Sequence, residues 1–163
     1  MTKILFICFG NICRSPMAEF VMKDLAEKAG RQADFYVESA ATSPCNTGSP
    51  VYPPARDTLT SHGVDCAGKK ARPMKRDDYG KFDLLIGMDA ENIRETRGIC
   101  GGDSDHKIYS LLDFTDSPGE VADPWYTGDF DATWRDVSRG CRGLMDGLAK
   151  EINSEKKGRE RRV

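Results

Sequence analysis

Short apolar runs alternate with helical patterns along the chain. The first run, Ile4 to Ile7, predicts a buried strand at residues 3–8. Apolar side chains then recur every three or four residues, which predicts an amphipathic helix over 16–29. A second strand is predicted at 35–40. Because a helix separates the two strands, we expect them to pair in parallel through a right-handed crossover.

The remainder of the chain continues this alternation. A loop rich in Pro, Gly and Ser covers 42–54, and the pattern after it predicts two further strands and three further helices. These elements are a helix at 53–62, a strand at 82–88, a helix at 90–97 ended by Gly98, a strand at 107–112 and a long amphipathic helix at 130–152. The sequence therefore predicts an α/β fold with a parallel sheet.

The domain organisation follows from length and patterning. The chain has 163 residues, without internal repeats or a linker, which indicates one domain over 1–152. Within residues 153–163, the stretch from Glu155 to Val163 alternates basic and acidic charges without apolar partners. We expect this segment to be a charged, frayed C-terminal tail.

Composition excludes several classes of protein. The net charge of −2 is close to zero and slightly negative, whereas a nucleic-acid binder relies on positive charge. No apolar run approaches the roughly 20 residues of a membrane helix. The run at 4–7 is shorter than the roughly 7 to 15 residues of a signal-peptide core. We therefore expect a cytoplasmic protein that does not bind membranes.

Cysteine and histidine usage also limits the chemistry. The six Cys are irregularly spaced without a secretory signal, so we expect free thiols. The two His, His62 and His106, lie apart from any Cys pair with the spacing of a zinc site. The sequence therefore predicts no metal and no cofactor.

The main candidate site lies between the first strand and the first helix. The stretch reads Cys8-Phe9-Gly10-Asn11-Ile12-Cys13-Arg14-Ser15. Successive backbone N–H groups that lead into a helix N-terminus form a phosphate-binding turn, and Gly10 lets the backbone fold tightly there. Cys8 is a candidate nucleophile, and Arg14 can hold phosphoryl oxygens and stabilise a thiolate. Ser15 followed by Pro16 predicts the helix N-cap.

The spacing of Cys8 and Arg14 alone is only weak support for a phosphate-binding site. Cys66 and Arg72 repeat it, but no strand precedes Cys66 and Pro73 follows Arg72. Ligands in open α/β sheets bind at the carboxyl ends of strands near a reversal of strand order. The context therefore favours the Cys8 loop.

A phosphate ester also needs an acid to protonate its leaving group. Four aspartates in the late loops are candidates, namely Asp113, Asp116, Asp123 and Asp129. Asp123 stands out because Pro124 stiffens the turn after it and two aromatic residues, Trp125 and Tyr126, follow.

These two motifs together resemble the low-molecular-weight protein tyrosine phosphatases. The similarity runs from Ile7 to Pro16 and through Asp123-Pro124-Trp125-Tyr126, and extends over roughly residues 3–150. It implies a four-stranded parallel sheet with helices on both faces, of the flavodoxin- or Rossmann-like type. It also implies hydrolysis of phosphotyrosine and aryl phosphates through a phosphocysteine on Cys8. Arg14 is then the phosphate clamp, and Asp123 is the general acid and base.

The resemblance extends to the residues that bind the substrate. Loop residues would surround the phosphate, namely Phe9, Gly10, Asn11, Ile12, Cys13 and Ser15. Ser15 would donate to the Cys8 thiolate, and Asn11, supported by Ser39, would fix the loop. A thiolate below the walls Phe9, Trp125 and Tyr126 is within reach of phosphotyrosine but not of the shorter phosphoserine. Cys45 stands where many family members carry a pocket aromatic, which leaves one wall open.

Cys13 suggests a redox role beside Cys8. We hypothesise that Cys13 captures oxidised Cys8 as a reversible disulfide and protects it from further oxidation. The alternative is a thiol that only packs under the loop.

Alternatives to the phosphatase remain open at this point. A thiol-dependent arsenate reductase of the same fold needs two further Cys close together, whereas those downstream are far apart in sequence. A non-catalytic phosphate-binding module would need no general acid, and a metal site at Cys8 and Cys13 lacks further ligands. The expected partners are a phosphotyrosine protein, with a bacterial tyrosine kinase as one candidate, and small aryl phosphates. We expect a monomer or weak dimer.

Overall fold

The computed structural model describes residues 1–162, and the side chains of 1–148, 157–158 and 160–162. Four strands and six α-helices alternate along this part of the chain. They are β1 (Thr2–Cys8), α1 (Arg14–Lys28), β2 (Phe35–Ala41), α2 (Pro53–Ser61), α3 (Asp78–Lys81), β3 (Leu84–Gly87), α4 (Ala90–Cys100), β4 (Ile108–Ser110), α5 (Pro124–Thr127) and α6 (Phe130–Glu160). Short 3₁₀ turns cover Gln32–Asp34 and Leu111–Phe114.

The strands form one parallel sheet in the order β2-β1-β3-β4. β1 lies between two neighbours, which explains why its apolar run is continuous: Ile4 through Ile7 are fully buried. The chain leaves β1 toward β2 on one side and reaches β3 on the other. The carboxyl end of β1 is therefore the switch point of the sheet, where a ligand crevice is expected.

Helices cover both faces of the sheet, as predicted. Ile4, Phe6 and Cys8 share a core with side chains of α1 and α6. Leu5 and Ile7 point to the opposite face, where they join a second core that includes Cys100 of α4. This division follows from the two-residue period of a strand. The predicted four-stranded parallel α/β fold is confirmed.

Two predicted helix boundaries near the site are wrong. α1 begins at Arg14 with Cys13 in the N-cap position, so Ser15 is not the N-cap. Its hydroxyl contacts Cys8 and Asn11 instead. α4 passes through Gly98 and ends at Cys100, and the following Gly101, with φ of 74°, has the left-handed conformation that terminates a helix. Gly98 is therefore a helix residue.

The predicted end of the last helix at residue 152 is also wrong. α6 continues through residue 152 to Glu160, and those of its described side chains that are buried, such as Val137 and Leu144, precede the charged segment. The last turns are rich in Glu, Lys and Arg, which favour helix without needing a core. Val163, the last residue of the predicted tail, lies outside the described residues.

Candidate active site

The Cys8 loop connects the buried end of β1 to the start of α1. Asn11 adopts the left-handed conformation, with φ of 57°, which Asn tolerates better than most residues. This turn brings the Asn11 backbone N–H within 3.3 Å of Cys8 Sγ, to which it donates. Cys8 is only 3% exposed, so its sulfur lies at the bottom of the site.

Side chains behind the loop hold it in this shape. Asn11 Nδ2 donates to Ser15 Oγ at 2.8 Å and to Ser39 Oγ at 2.9 Å. Asn11 Oδ1 accepts from the Arg72 backbone N–H at 3.1 Å. Ser15 Oγ in turn lies 2.9 Å from Cys8 Sγ. All three polar side chains that the resemblance assigned to the loop and its support are therefore in contact.

Arg14 is buried beside Cys8 and held by acidic and carbonyl oxygens. Its Nη1 donates to Asp89 Oδ2 at 2.7 Å and to the Val121 carbonyl at 3.0 Å, and its Nη2 lies 3.4 Å from Asp123 Oδ2. Burial lowers the pKa of the guanidinium, but the interactions with Cys8 and with the two carboxylates raise this pKa by more, so the net shift is upward. Arg14 is therefore a permanent positive charge.

Asp123 caps the short helix α5. Its Oδ1 accepts from the Trp125 backbone N–H at 3.1 Å, and Pro124 occupies the first helical turn. The Asp123 side chain is 28% exposed, much more than that of Arg14. Its Oδ2 therefore faces both the guanidinium and the open site.

A cavity of about 270 Å³ opens above these groups. Nine of the residues predicted for the site line it: Cys8, Phe9, Gly10, Ile12, Cys13, Arg14, Asp123, Trp125 and Tyr126. The predicted wall residues Phe9, Trp125 and Tyr126 are exposed at the rim, while Cys8 and Arg14 are buried. Trp125 also packs on Tyr52, with ring centroids 5.0 Å apart. The two remaining predicted residues, Asn11 and Ser15, lie behind the loop.

Two cavity residues come from the loop after β2. Cys45 lies on the cavity wall and is exposed, and it is the residue that the resemblance placed where many family members carry a pocket aromatic. Asn46 was not predicted. A Cβ on Gly10 would lie 2.6 Å from Asn46 Nδ2, so the Asn46 side chain can take this position only beside a glycine. Nothing in the local pattern around Asn46 signals this long-range contact.

Asp89 was also missed, although a signal was present. It lies two residues after β3, and the ends of β1 and β3 meet at the same edge of the sheet. Asp89 caps α4 through the Asn92 N–H at 2.8 Å with one carboxylate oxygen and binds Arg14 with the other. An acidic residue at the end of the neighbouring strand could therefore have been proposed as the partner of Arg14.

Cys13 is buried next to the nucleophile candidate. Burial raises the pKa of its thiol to about 12, and the nearby charges of Cys8 and Asp123 act in the same direction, against the opposing effect of Arg14. The second Cys-Arg pair does not form an anion loop. Cys66 is part of the core, and the Arg72 guanidinium binds Asp78.

No described helix has the length and apolar character needed to cross a membrane. Among the side chains that the structure describes, no group of three or more His, Cys, Asp or Glu is arranged to hold a metal ion.

Comparisons with known proteins identify the family of the chain. The family described as low molecular weight phosphotyrosine protein phosphatase matches residues 3–157. The low molecular weight protein-tyrosine-phosphatase YfkJ of Bacillus subtilis is 37% identical over 93% of this chain and 98% of its own length. The low molecular weight phosphotyrosine protein phosphatase 2 of Drosophila melanogaster is 33% identical over 88% of this chain and 90% of its own.

Solved structures show the same likeness. The crystal structure of YfkJ from Bacillus subtilis superposes with a TM-score of 0.89 over 93% of this chain and 96% of that one. The Drosophila arginine phosphatase DARP is 27% identical, with a TM-score of 0.83 over 90% of this chain and 98% of its own. A buried Cys and Arg at the switch point of the sheet and a match over nearly the whole chain lead to one conclusion: this protein is a hydrolase of the low molecular weight protein-tyrosine-phosphatase family.

Proposed function

We propose that the enzyme hydrolyses phosphotyrosine through a phosphocysteine on Cys8, with Arg14 as the phosphate clamp and Asp123 as general acid and base. The observation that carries this proposal is convergence: the three groups line one cavity, with the thiol at its base and the carboxylate beside its mouth. Phosphoryl transfer depends mainly on positioning and on stabilising charge, which such an arrangement supplies.

In the first step, the Cys8 thiolate attacks phosphorus in line with the tyrosyl oxygen. The S–P bond forms, the P–O bond to the ring breaks, and protonated Asp123 transfers its proton to the leaving oxygen. Loop N–H groups and Arg14 hold the three non-bridging oxygens. The Asn11 N–H lies 3.3 Å from the Cys8 sulfur and Ser15 Oγ lies 2.9 Å from it, so both groups can donate to the attacking atom.

The second step returns the enzyme to its starting state. The Asp123 carboxylate accepts a proton from water while the water oxygen attacks phosphorus. The S–P bond breaks, inorganic phosphate leaves, and Cys8 is again a thiolate while Asp123 is again protonated. The position of Asp123 Oδ2, 3.4 Å from Arg14 Nη2 and partly exposed, allows it to act on both the leaving group and the water.

Arg14 must exchange one partner for the substrate. Asp89 and the Val121 carbonyl hold Nη1, whereas the contact of Nη2 with Asp123 is longer. A phosphoryl oxygen can displace the weaker contact while Nη1 stays in place. The clamp is therefore positioned before the substrate binds, and Asp123 is released for proton transfer.

The depth of the site favours an aryl ester. Cys8 is 3% exposed, whereas Phe9 is 49%, Trp125 57% and Tyr126 85% exposed. A phosphate that reaches the sulfur must stand on a long, flat group that passes between these aromatic side chains. Phosphotyrosine fits this requirement, and phosphoserine is too short.

The physiological setting is a further part of the proposal. We infer a phosphotyrosine protein as substrate, because the family acts on phosphotyrosine proteins. A bacterial tyrosine kinase, small aryl phosphates, a monomeric or weakly dimeric state and a cytoplasmic location stay predictions from the sequence.

Phosphate release from matched peptides tests the function. Peptides that differ only in carrying phosphotyrosine, phosphoserine or phosphoarginine are incubated in EDTA with wild type, Cys8→Ser and Asp123→Ala. We expect release from phosphotyrosine alone, its loss in Cys8→Ser and a decrease of about 100-fold in Asp123→Ala, which lies within the range for removal of a general acid.

Each other result has a definite meaning. Release mainly from phosphoarginine would replace the proposed substrate with the one named for the similar Drosophila enzyme. No release from any peptide would contradict the phosphatase mechanism, and arsenate reduction and plain phosphate binding would then be measured. Full activity of Asp123→Ala would exclude Asp123 as the acid.

A further inference from the structure

A second groove lies beside the active-site cavity, on the other side of Phe9. It has a volume of about 490 Å³ and is open to solvent. Phe9 lines both the cavity and the groove, and its side chain is 49% exposed. The other groove residues come from the segment after β2 and from α4, namely Thr42, Ser43, Pro44, Glu95, Gly98 and Ile99. A substrate bound in the cavity therefore has this groove as its immediate neighbour.

The segment after β2 is attached to the start of the Cys8 loop by backbone hydrogen bonds. The Thr42 N–H donates to the Cys8 carbonyl at 2.9 Å, and the Ser43 N–H donates to the Phe9 carbonyl at 3.0 Å. The same segment continues to Cys45, which lines the cavity. The wall of the cavity and one side of the groove are therefore parts of one hydrogen-bonded unit.

α4 forms the opposite side of the groove. Glu95, Gly98 and Ile99 are three and four residues apart, so they share one face of the helix. Ile99 is partly buried and packs on the core beneath it. Gly98 is exposed, and a Cβ built on it meets nothing within 4 Å. This face therefore offers apolar surface, open space and one carboxylate.

Glu95 is the charged group of the groove, and its side chain is partly exposed. Arg94, the basic residue next to it in sequence, binds Glu91 instead. The carboxylate of Glu95 forms no ion pair among the side chains that the structure describes. A free carboxylate beside apolar surface suits a group that is apolar along its length and positive at its end, as the side chains of lysine and arginine are.

We propose that the groove binds a lysine or arginine side chain of the substrate, close in sequence to the phosphotyrosine, with its positive charge at Glu95. The alkyl part of that side chain packs on Phe9, Pro44 and Ile99. This inference rests on the proposed function, because it assigns the neighbour of a phosphotyrosine held in the cavity. An extended peptide advances about 3.3 Å per residue, so a residue one or two positions from phosphotyrosine can pass over Phe9 into the groove.

Matched phosphotyrosine peptides test this subsite. In an otherwise alanine-rich peptide, each of the two positions before and after phosphotyrosine carries in turn lysine, arginine, norleucine or glutamate. Norleucine has the alkyl part of lysine without its charge. We expect lysine or arginine at one of these positions to raise kcat/KM about threefold to fivefold over norleucine, as for a partly exposed ion pair, and about 0.5 M salt to reduce this preference. Equal values for lysine and norleucine at every position would overturn the proposal.

Variants of Glu95 show whether the preference comes from this carboxylate. Each variant is judged by the ratio of kcat/KM between two peptides, so a general change in activity cancels. Glu95→Gln should bring the lysine-to-norleucine ratio close to one, and Glu95→Lys should favour the glutamate peptide over the lysine peptide. Glu27→Gln makes the same change of charge at an exposed position in the last turn of α1 and should keep the wild-type ratio. A lysine preference that survives in Glu95→Lys would contradict the inference.

Gly98→Leu tests whether the side chain lies in the groove itself. Because a Cβ at Gly98 meets open space, the variant should fold, which circular dichroism checks. Its new side chain takes up room beside Ile99, so the advantage of the lysine peptide over the all-alanine peptide should be lost. An unchanged advantage in folded Gly98→Leu would mean that the peptide side chain binds elsewhere, and the proposal would be wrong.

A binding measurement separates this proposal from the proposed function. The lysine and norleucine peptides are also made with difluorophosphonomethyl phenylalanine, a phosphotyrosine analogue that cannot be hydrolysed, and their Kd values are measured by fluorescence anisotropy. Tighter binding of the lysine analogue without hydrolysis of any phosphotyrosine peptide would support the subsite and contradict the mechanism on Cys8. Hydrolysis with equal Kd and equal kcat/KM for the two peptides would overturn the subsite alone, and the absence of both binding and hydrolysis would overturn both proposals.

Discussion

Asp89 positions Arg14 through one short ion pair, in which Asp89 Oδ2 lies 2.7 Å from Arg14 Nη1. The Arg14 side chain is buried, and that of Asp89 is partly buried. Without that charge, the guanidinium would turn toward Asp123, its other carboxylate partner. We predict that Asp89→Asn lowers kcat/KM for a phosphotyrosine peptide about tenfold, because the clamp is misplaced before the substrate binds. Steady-state kinetics at several pH values provide the measurement.

The choice of Asn separates two roles of this residue. Asp89 also caps α4, and Asn is as good an N-cap as Asp, so the stability of Asp89→Asn should stay close to that of wild type. Asp89→Ala should lose about 1 kcal/mol in addition. Asp57→Asn, an exposed position on α2, is the control for charge alone. Unchanged kinetics in Asp89→Asn would show that Arg14 does not depend on this pair.

Cys13 carries a prediction about oxidation. Because burial raises the pKa of its thiol to about 12, only a small thiolate fraction is present at pH 7, and that fraction grows about tenfold with each pH unit below the pKa. We predict that capture of Cys8 sulfenic acid by Cys13 accelerates about tenfold between pH 7 and pH 8. The measurement is the rate at which the Cys8–Cys13 disulfide peptide appears after one equivalent of peroxide.

Cys45 is the competing thiol because it lines the same cavity. Cys45→Ser should retain the capture, and Cys13→Ser should lose it and over-oxidise irreversibly in excess peroxide. Recovery of peroxide-treated Cys13→Ser by thiol to the full wild-type level would refute the protective role.

Some residues of the site could be predicted from the sequence, and others could not. Cys8, Arg14 and the loop between them could be predicted because they are consecutive in sequence between a strand and a helix. All of them line the cavity or support it. Asn46 could not be predicted, because its contact with Gly10 depends on how distant loops pack. The Ser15 hydroxyl was assigned to the wrong backbone role because its contact with Cys8 competes with capping.

At the scale of elements, α6 packs closely on the turn at Leu111–Phe114. A Cβ on Gly143 would lie 2.0 Å from the Phe114 carbonyl oxygen, so the helix can reach this turn only with glycine there. We predict that Gly143→Ala lowers the free energy of unfolding by about 2 to 3 kcal/mol. Urea unfolding monitored by circular dichroism measures this change.

Gly147, one turn later in α6, is the matched control. Nothing lies within 4 Å of a Cβ built there. Gly147→Ala should therefore stabilise the protein by up to about 1 kcal/mol, because alanine has the higher helix propensity. Equal effects of the two substitutions would contradict the packing described for α6.

Periodicity predicted the long elements well and the short ones poorly. All four strands and the helices α1, α2 and α4 were predicted within a few residues, whereas the prediction for α6 stopped at residue 152 instead of Glu160. The one-turn helices α3 and α5 were not, since four residues are too few to show a period. α4 was ended too early at Gly98 because a glycine inside a helix looks the same in sequence as a terminating one.

At the scale of the whole molecule, buried thiols make the free energy of unfolding fall as pH rises into the alkaline range. Burial raises the pKa of the Cys141 thiol well above its ordinary value. The stability from keeping this thiol protonated is complete below the pKa of the unfolded chain, about 8.5, and is lost as pH rises toward the folded value. Each such group contributes a slope of about 1.4 kcal/mol per pH unit in that range.

We therefore predict that the free energy of unfolding falls less steeply with pH in Cys141→Ala than in wild type, by about 1.4 kcal/mol per pH unit between pH 9 and 10.5. Urea unfolding at four pH values measures both slopes. The alanine cavity lowers stability at every pH, so the slope is the quantity to compare. Parallel lines for the two proteins would show that Cys141 does not hold its proton in the folded state.

The fold as a whole was predictable because its topology follows from the order of its elements. Alternating strands and helices with right-handed crossovers leave few possible arrangements, and the Cys8 loop then lies at the switch point of the sheet. The end of the molecule was not predictable in the same way. The sequence after residue 152 carries no apolar period, yet helix formers continue α6 to Glu160.

The central claim is that Cys8 becomes phosphorylated during turnover. The most direct measurement is mass spectrometry of acid-quenched Asp123→Ala during reaction with p-nitrophenyl phosphate, whose good leaving group needs no acid. We predict one phosphoryl group on the peptide that contains Cys8, because its formation stays fast while its hydrolysis lacks the base. Quenched enzyme without a phosphoryl group, or with one on another residue while p-nitrophenol is still released, would contradict the account.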